Sequence, residues 1–251
     1  MRVLVVTAVA AERDAVTSGP AAPLETAVPG FALHRRAPAG PGAPPVVLDA
    51  LAAGVGPAAA AAGTATALTA AALSGSPYDL VVSAGIGGGL TGSPTVPGAP
   101  VGSLVVSDAI VAADLGAETP EGFLPVTDLG FGTVEHRPPA ALVAAVAGAT
   151  GARPGTVLTV STVTGSAARA AELAARHPGA LAEAMEGFGV AEAAAAHGVP
   201  VLELRAVSNP VGPRDRAAWR IGEALGALAA AFRQLSPALA AYSAERSEVT
   251  P

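Results

Sequence analysis

Leu80-Val81-Val82 leads directly into Ser83-Ala84-Gly85-Ile86-Gly87-Gly88-Gly89-Leu90. The first three residues are continuously apolar, which is typical of a strand buried on both faces of a parallel sheet. The glycines that follow let backbone N–H groups approach a ligand oxygen, as phosphate and ribose sites require. The stretch therefore predicts a central strand ending in a glycine loop, and that loop is either a small-molecule site or a tight turn without a ligand.

This glycine loop is not predicted to bind NAD, although Asp108 follows it as the acidic partner of a dinucleotide fingerprint would. That fingerprint needs a helix directly after its glycines. Here Thr91-Gly92-Ser93-Pro94 and then Pro97-Gly98 follow, which no helix interior tolerates. The loop also follows the third predicted strand, whereas the fingerprint follows the first.

Outward from this stretch, short β-branched runs alternate with alanine-rich segments. The predicted strands are Val3–Thr7, Val46–Asp49, Leu80–Ala84, Ser103–Ser107, Thr156–Ser161 and Val201–Val207. The predicted helices are Ala10–Thr17, Pro57–Leu73, Pro139–Gly148, Ser166–Ala175, Ala182–His197 and Gly222–Leu235. This alternation predicts an α/β three-layer sandwich, in which helices flank a central mixed or parallel twisted sheet.

The rest of the chain connects these elements. Gly19–Pro45 is predicted to be a loop or a ragged hairpin, and Thr91–Gly102 is a second Pro/Gly-rich connection. Ser236–Pro251 is polar without periodicity and predicts a flexible tail. No internal repeat or linker divides the rest, so residues 1–235 are expected to form a single domain.

Composition excludes several kinds of chemistry. The 251 residues include no cysteine, which rules out disulfides, zinc–thiolate sites and a thiol nucleophile. All 14 basic residues are arginines, so a lysine Schiff base and a P-loop lysine are also excluded. The net charge of −6 without a basic cluster argues against a nucleic-acid partner.

The chain is apolar, with a mean hydropathy of +0.50, but no membrane span is expected. The alanine-rich segment Pro57–Leu73 comes nearest, yet Gly63, Thr64, Thr66 and Thr69 interrupt it. A span needs about 20 predominantly apolar residues. Met1–Val6 is interpreted as a first strand and not as a signal peptide, so a cytoplasmic location is expected.

Three polar side chains stand at the ends of predicted elements. Glu12 follows the first strand, where it either acts as a general base or only opposes the helix dipole. Glu186 is the one acid in Ala184–Val190, and burial would require an arginine or ligand hydroxyls as its partner, whereas Glu183 is interpreted as an ordinary surface glutamate. Asn209 ends a strand, either as a ligand contact or as a turn residue before Pro210.

Other chemistries find little support in the sequence. His34, His136, His177 and His197 lack metal-ligand spacing, so no metal site is predicted, and no cofactor either. Ser161, Ser166 and Ser208 lack the strand–turn–helix context of a nucleophilic serine.

These segments together resemble the nucleoside phosphorylase/nucleosidase family, in particular its methylthioadenosine/S-adenosylhomocysteine nucleosidase branch. The resemblance is carried by Glu12, the Ser83–Leu90 stretch, Ser107-Asp108, Ala184-Met185-Glu186-Gly187 and Arg205-Ala206-Val207-Ser208-Asn209. It implies that Glu12 orients and deprotonates the attacking water, with Gly85 and Ile86 lining the site. Glu186 would hold the ribose 2′- and 3′-hydroxyls above Met185, and Val163 would offer backbone contacts to the purine.

The resemblance also implies a catalytic role for Asn209, whose position is that of the general acid at purine N7; the sequence departs here from the adenine-acting branch, which carries aspartic acid. Asparagine offers an NH₂ donor to a 6-oxo group and a carbonyl acceptor to N7–H, which favours hypoxanthine over adenine. A closer resemblance, to the futalosine hydrolases of an alternative menaquinone pathway, is carried by Ser208–Arg216 with Trp219 and by Ala113–Glu118. It implies hydrolysis of futalosine to hypoxanthine and dehypoxanthine futalosine, with Ser208 and Asp215 at the site.

Several points stay open at this level. Arg36, Arg137, Arg214 and Arg216 are all candidates for the substrate's carboxylate, and Arg214 could instead pair with Asp215. Asp215 or solvent could supply the leaving-group proton. A methylthioadenosine nucleosidase, a phosphate-dependent purine nucleoside phosphorylase and a non-catalytic nucleoside-binding protein are the alternatives, although no basic residue lies in Val81–Val106 to bind phosphate. The resemblance also implies a homodimer or larger homo-oligomer.

Overall fold

The computed structural model describes residues 1–38, 45–92 and 97–249, with side chains up to 244. The strands are β1 (Arg2–Thr7), β2 (Leu24–Val28), β3 (Phe31–Arg36), β4 (Val47–Ala52), β5 (Leu80–Gly89), β6 (Leu104–Ala112), β7 (Gly116–Thr119), β8 (Gly122–Pro125), β9 (Glu135–His136), β10 (Arg153–Thr159), β11 (Ala180–Ala184) and β12 (Val201–Pro210). The α-helices are α1 (Ala10–Val16), α2 (Pro57–Leu73), α3 (Ala140–Thr150), α4 (Ala167–Arg176), α5 (Gly187–Ala196) and α6 (Ile221–Val249).

A twisted mixed sheet forms the middle of the molecule, in the order β11-β10-β6-β12-β5-β1-β4-β3-β2. The pairs β1–β4, β1–β5 and β12–β5 are parallel, whereas β12–β6 and the β2–β3–β4 edge are antiparallel. β11 pairs with β10 and also, antiparallel, with β5, so that β5, β12, β6, β10 and β11 close into a small barrel. Closure removes the edge that β11 would otherwise expose.

Helices cover both faces of the sheet, which confirms the predicted fold class. On one face α1, α3 and α6 pack over a core that includes Val5, Leu204 and Phe232. On the other face α2 and α5 pack over a core that includes Leu4 and Val81. Because both faces are covered, the central strand β1 and the first half of β5 are apolar at nearly every position, as the sequence indicated.

Two predicted elements were wrong, the helix that contained Glu186 and the glycine loop after Ala84. The predicted helix Ala182–His197 is instead strand β11, a short break and helix α5. Alanine favours helix, but Ala180–Ala184 is fully buried between β10 and β5, and this tertiary pairing outweighs the local preference. The stretch after Ala84 is not a glycine loop either, because β5 continues as a strand to Gly89.

The predicted flexible tail from Ser236 was wrong for most of its length. Helix α6 continues through Pro237 to Val249, and its residues Leu239 and Tyr242 are buried in the core. Residues 250–251 lie outside the described part, as do 39–44 of the predicted Gly19–Pro45 hairpin and 93–96 of the Thr91–Gly102 connection. The hairpin itself is present as β2–β3.

One helix among the described residues, Ile221–Ala244, is long and apolar enough to cross a bilayer by length and composition. The sequence pointed to Pro57–Leu73 instead, which is the shorter helix. Ala224, Leu228 and Phe232 of the longer helix lie in the core, and helices buried in this way meet the same criterion.

Candidate active site

Glu12 joins the start of α1 to the neighbouring strand β5. Its Oε2 accepts hydrogen bonds from the backbone N–H groups of Ala8 (3.0 Å) and Val9 (3.3 Å), which a helix start leaves without partners. Its Oε1 accepts a bond from the N–H of Ile86 at 2.9 Å. The carboxylate therefore has the first-turn position that the sequence allowed, and it also faces the edge where parallel strands end.

Gly85 leaves room over β5 for two charged side chains, those of Glu12 and Arg205. A Cβ at this position would lie 2.6 Å from Glu12 Oε1 and 2.7 Å from Arg205 Nη1. Both distances are shorter than real Cβ atoms show, so any side chain here would displace one of the two groups. The close approach expected of these glycines is thus made by protein side chains on a continuous strand.

Glu186 occupies the N-cap position of α5, without a side-chain capping bond, and is 4% exposed. Its Oε1 accepts a bond from the N–H of Gly56 (3.1 Å), the residue before α2. Its Oε2 lies 3.2 Å from Arg205 Nη2. Of the two partners that the sequence allowed for this carboxylate, the structure supplies the arginine, while half-buried Met185 lies directly before it.

Arg205 connects these groups, and the sequence reasoning assigned it no role. It is fully buried in β12, where Nε donates to Glu203 Oε1 (2.8 Å), Nη2 to Ser83 Oγ (3.1 Å) and Nη1 to the carbonyl of Ile86 (3.3 Å). Burial alone would lower the pKa of Arg205, but the facing carboxylates of Glu203 and Glu186 raise it above its usual value. The guanidinium therefore stays charged. The available signal was a pair of charged residues, Glu203 and Arg205, inside an otherwise apolar run.

Glu203 was also missed. It lies two residues before Arg205 and so on the same face of β12, and it is fully buried. Burial raises the pKa of Glu203, and Arg205 opposes that rise. A Cβ on Gly187 would overlap its carboxylate, so a glycine at the start of α5 makes room for it. Three buried carboxylates, those of Glu12, Glu186 and Glu203, thus surround one arginine.

Asn209 and Ser208 lie at the end of β12, after a bulge opposite Gly88. Half-buried Asn209 accepts through Oδ1 from the Ser208 hydroxyl (2.8 Å) and donates through Nδ2 to the carbonyl of Pro210 (3.0 Å). The alternative acceptor for the Ser208 hydroxyl is the carbonyl of Gly87, at 3.2 Å. Asn209 is a strand residue, so its interpretation as a turn residue was wrong.

Asp215 lies on an exposed turn and is not brought to this cluster. Its Oδ1 accepts from the N–H of Ala217 (3.1 Å), as the cap of a short 3₁₀ helix. The suggested pairing with Arg214 is absent among the described ion pairs, and Arg214 lies instead over the ring of Trp219, 5.7 Å from its centre.

Val163 lies in a loop that two carboxylates hold in place. It is 43% exposed. Ser161 N–H donates to Asp114 Oδ2 (2.6 Å), while Thr164 donates through its N–H to Glu183 Oε1 (2.9 Å) and through its hydroxyl to Oε2 (2.5 Å). The interpretation of Glu183 as a surface residue was wrong, because it is 5% exposed and burial raises its pKa.

No group of three or more His, Asp or Glu side chains able to hold a metal occurs in the described part of the chain. His136 instead lies against Glu192, with Nε2 2.8 Å from Oε1. Among the arginines suggested for a substrate carboxylate, Arg137 pairs with Glu135 at 2.6 Å.

Comparison with solved structures shows the fold. A futalosine hydrolase mutant of Helicobacter pylori aligns over 94% of this chain and 99% of its own, with a TM-score of 0.76 and 17% identity. A 5′-methylthioadenosine/S-adenosylhomocysteine nucleosidase from Colwellia psychrerythraea in complex with adenine aligns over 96% of this chain and 95% of its own, with a TM-score of 0.73 and 22% identity.

Sequence comparison shows the family. Residues 42–241 match the phosphorylase superfamily model. A futalosine hydrolase of Streptomyces coelicolor is 72% identical over 243 residues, covering 96% of this chain and 98% of that protein. A futalosine hydrolase of Acidothermus cellulolyticus is 46% identical, covering 94% of this chain and 90% of that protein. The chain therefore belongs to the futalosine hydrolase family of the phosphorylase superfamily.

Proposed function

We propose that this chain hydrolyses the N-glycosidic bond of futalosine, releasing hypoxanthine and dehypoxanthine futalosine in menaquinone biosynthesis. The observation that carries the proposal is the meeting of Glu12, Arg205 and Glu186 beside Gly85 and Ile86 of β5. A carboxylate can take the proton of an attacking water, and a second buried carboxylate suits a ribose diol. The extensive identity to curated futalosine hydrolases supports the substrate.

Glu12 is the proposed general base. A water held at Glu12 Oε1 gives a proton to the Glu12 carboxylate. The oxygen of that water bonds to the anomeric carbon as the bond from this carbon to the purine breaks. Positive charge develops on the ribose in this step, and the carboxylates of Glu12 and Glu186 stabilise it. Arg205 stays charged in this buried setting and lies 3.2 Å from Glu186 through Nη2.

Asn209 is the proposed purine contact. Its amide can donate to the 6-oxo group and accept from N7–H once a base replaces the bonds to Ser208 and Pro210. An amide is a poor proton donor, and Asp215 is engaged in capping its own turn, so we assign the leaving-group proton to solvent. Val163, on the loop held by Glu183 and Asp114, would provide backbone contacts to the base.

Charge favours water over phosphate as the nucleophile. The described cluster holds three carboxylates, those of Glu12, Glu186 and Glu203, against one guanidinium. A phosphate dianion would be repelled there, because buried like charges interact strongly. This argues against the phosphorylase alternative.

The test is to incubate the purified protein with futalosine, inosine and methylthioadenosine, each with and without phosphate, and to follow the free base by chromatography. We expect hypoxanthine from futalosine without phosphate. Adenine from methylthioadenosine as the main product would make the chain an adenine-specific nucleosidase. Hypoxanthine from inosine only with phosphate would make it a phosphorylase, and binding without release of any base would make it a binding protein.

We further propose that the chain forms a homodimer through the region around β7 and β8. Exposed apolar side chains concentrate there and on the adjoining Val163 loop, namely Leu115, Leu124, Leu129, Phe131 and Val163. Apolar patches of this kind mark interaction surfaces. Light scattering after size exclusion should give twice the 24.1 kDa chain mass, and Phe131→Asp should shift the protein toward the monomer.

We also propose a cytoplasmic enzyme that needs no cofactor and forms one domain including α6, with no nucleic-acid or membrane partner. Full activity of a metal-free preparation and recovery in the cytosolic fraction would support this proposal. Activity lost to a chelator and restored by a metal ion would contradict it.

A further inference from the structure

The strongest feature that the proposed reaction leaves unused is Glu203. Its side chain is fully buried, yet Oε2 has no hydrogen-bond partner among the described residues. Its Oε1 binds Nε of Arg205 at 2.8 Å. A buried carboxylate is costly unless it is paired, so its presence beside the proposed site calls for a role that an apolar residue could not fill.

Arg205 divides its guanidinium between two carboxylates. The Nε edge faces Glu203, and Nη2 faces Glu186 at 3.2 Å. The contact with Glu203 is the shorter of the two. Without it, the nearest negative group for this buried cation would be Glu186, which the ribose hydroxyls also need.

We propose that Glu203 is a positioning residue that holds Arg205 by Nε and so keeps the Glu186 carboxylate available to the ribose hydroxyls. This inference rests on the proposed function. It predicts that Glu203 balances the positive charge of Arg205 whether or not substrate is bound. The ribose hydroxyls then do not have to break an ion pair at Glu186. Gly187 belongs to the same arrangement, because any Cβ there would overlap the Glu203 carboxylate and displace it.

The test measures the dissociation constant of futalosine by calorimetry, in proteins that also carry Glu12→Gln to prevent turnover. Glu203→Leu should raise this dissociation constant about tenfold, because Arg205 then pairs fully with Glu186. Glu203→Gln should raise it less, since the amide oxygen still accepts from Nε. Asp49→Asn, which removes a buried carboxylate outside this cluster, should leave it unchanged.

The decisive comparison places Glu203→Leu in an Arg205→Met background. If Glu203 acts through Arg205, the same substitution should now change the dissociation constant by less than about twofold. An equal rise in both backgrounds, or no rise in either, would overturn the inference. Circular dichroism and melting temperature check that each variant is folded.

Wild-type turnover separates the two proposals. Hydrolysis of futalosine by the wild type together with additive effects at positions 203 and 205 would overturn this inference alone. Both proposals would be overturned if the wild type does not hydrolyse futalosine and the Glu12→Gln protein does not bind it.

Discussion

Glu12 is the proposed general base, and its carboxylate also joins the start of α1 to β5. Substituting Glu12→Gln removes the proton acceptor, so we expect kcat for futalosine to fall by about 10²–10⁴-fold while KM changes little. Because both carboxylate oxygens accept backbone N–H groups, the amide will also cost some stability. Steady-state kinetics with a melting temperature separates the two effects, and turnover retained near the wild-type level would remove Glu12 as the base.

Asn209 is the residue that we propose selects the purine. Substituting Asn209→Asp should favour adenine nucleosides, because a protonated carboxyl can donate to N7 while it accepts from the exocyclic amine. We expect the ratio of kcat/KM for futalosine over methylthioadenosine to fall by at least about tenfold. An unchanged ranking of the two substrates would show that another residue selects the base.

Strand β5 positions the site by having no side chain at Gly85. Alanine there would displace Glu12 Oε1 or Arg205 Nη1, and a misplacement of about 1 Å can cost roughly 100-fold in rate. We expect Gly85→Ala to lower kcat/KM by about that factor. Gly148→Ala is the matched control, because a Cβ there meets nothing within 4 Å. This substitution should stabilise helix α3 by about 0.5–1 kcal/mol. Near-wild-type activity in Gly85→Ala would mean that the two charged groups need not meet there.

The half of the sheet formed by β1, β3 and β4 is tied together by Asp49, which has no exposed surface. Its carboxylate accepts from Arg35 (2.6 and 2.8 Å), Arg2 (2.8 Å) and the Tyr78 hydroxyl (2.8 Å). Burial would raise the pKa of Asp49, but these donors together hold it below its usual value. The charged form therefore stabilises the fold above the unfolded-state pKa of about 3.9, and this contribution is lost as pH falls through the lower folded-state pKa.

We therefore expect Asp49→Asn to lower the free energy of unfolding by about 2–4 kcal/mol between pH 5 and 8. The difference from wild type should shrink below about pH 4. Urea unfolding at several pH values measures it. Asp14→Asn is the control, because that side chain is 57% exposed and its pairing with Arg13 should contribute less than about 1 kcal/mol. A difference that does not vary with pH would show that the charge of Asp49 is not what stabilises the sheet.

The local pattern of the chain was enough for elements whose signal lies within a few residues. Helix Pro57–Leu73 was predicted with both bounds as observed, and β1, β4, β10 and α1 agree to within a few residues, because periodicity and capping act over one or two turns. The order of Glu12, Glu186 and Asn209 at element ends also came from the sequence. It could not tell that Ala180–Ala184 is a strand or that β5 continues through its glycines, since neighbouring strands dictate both.

By itself the sequence determined the α/β class, the flanking helices and the chemistries that composition excludes, and it singled out Glu12 and Glu186 among the charged side chains of the candidate site. Only the tertiary structure decided how those side chains are paired. Glu12 meets Ile86 across 74 positions, Glu186 meets Gly56 across 130, and Glu183 is buried where a surface position was expected. The physical reason is that burial and ion pairing depend on what other strands and helices bring to the same place, whereas a local pattern records only the preferences of adjacent residues.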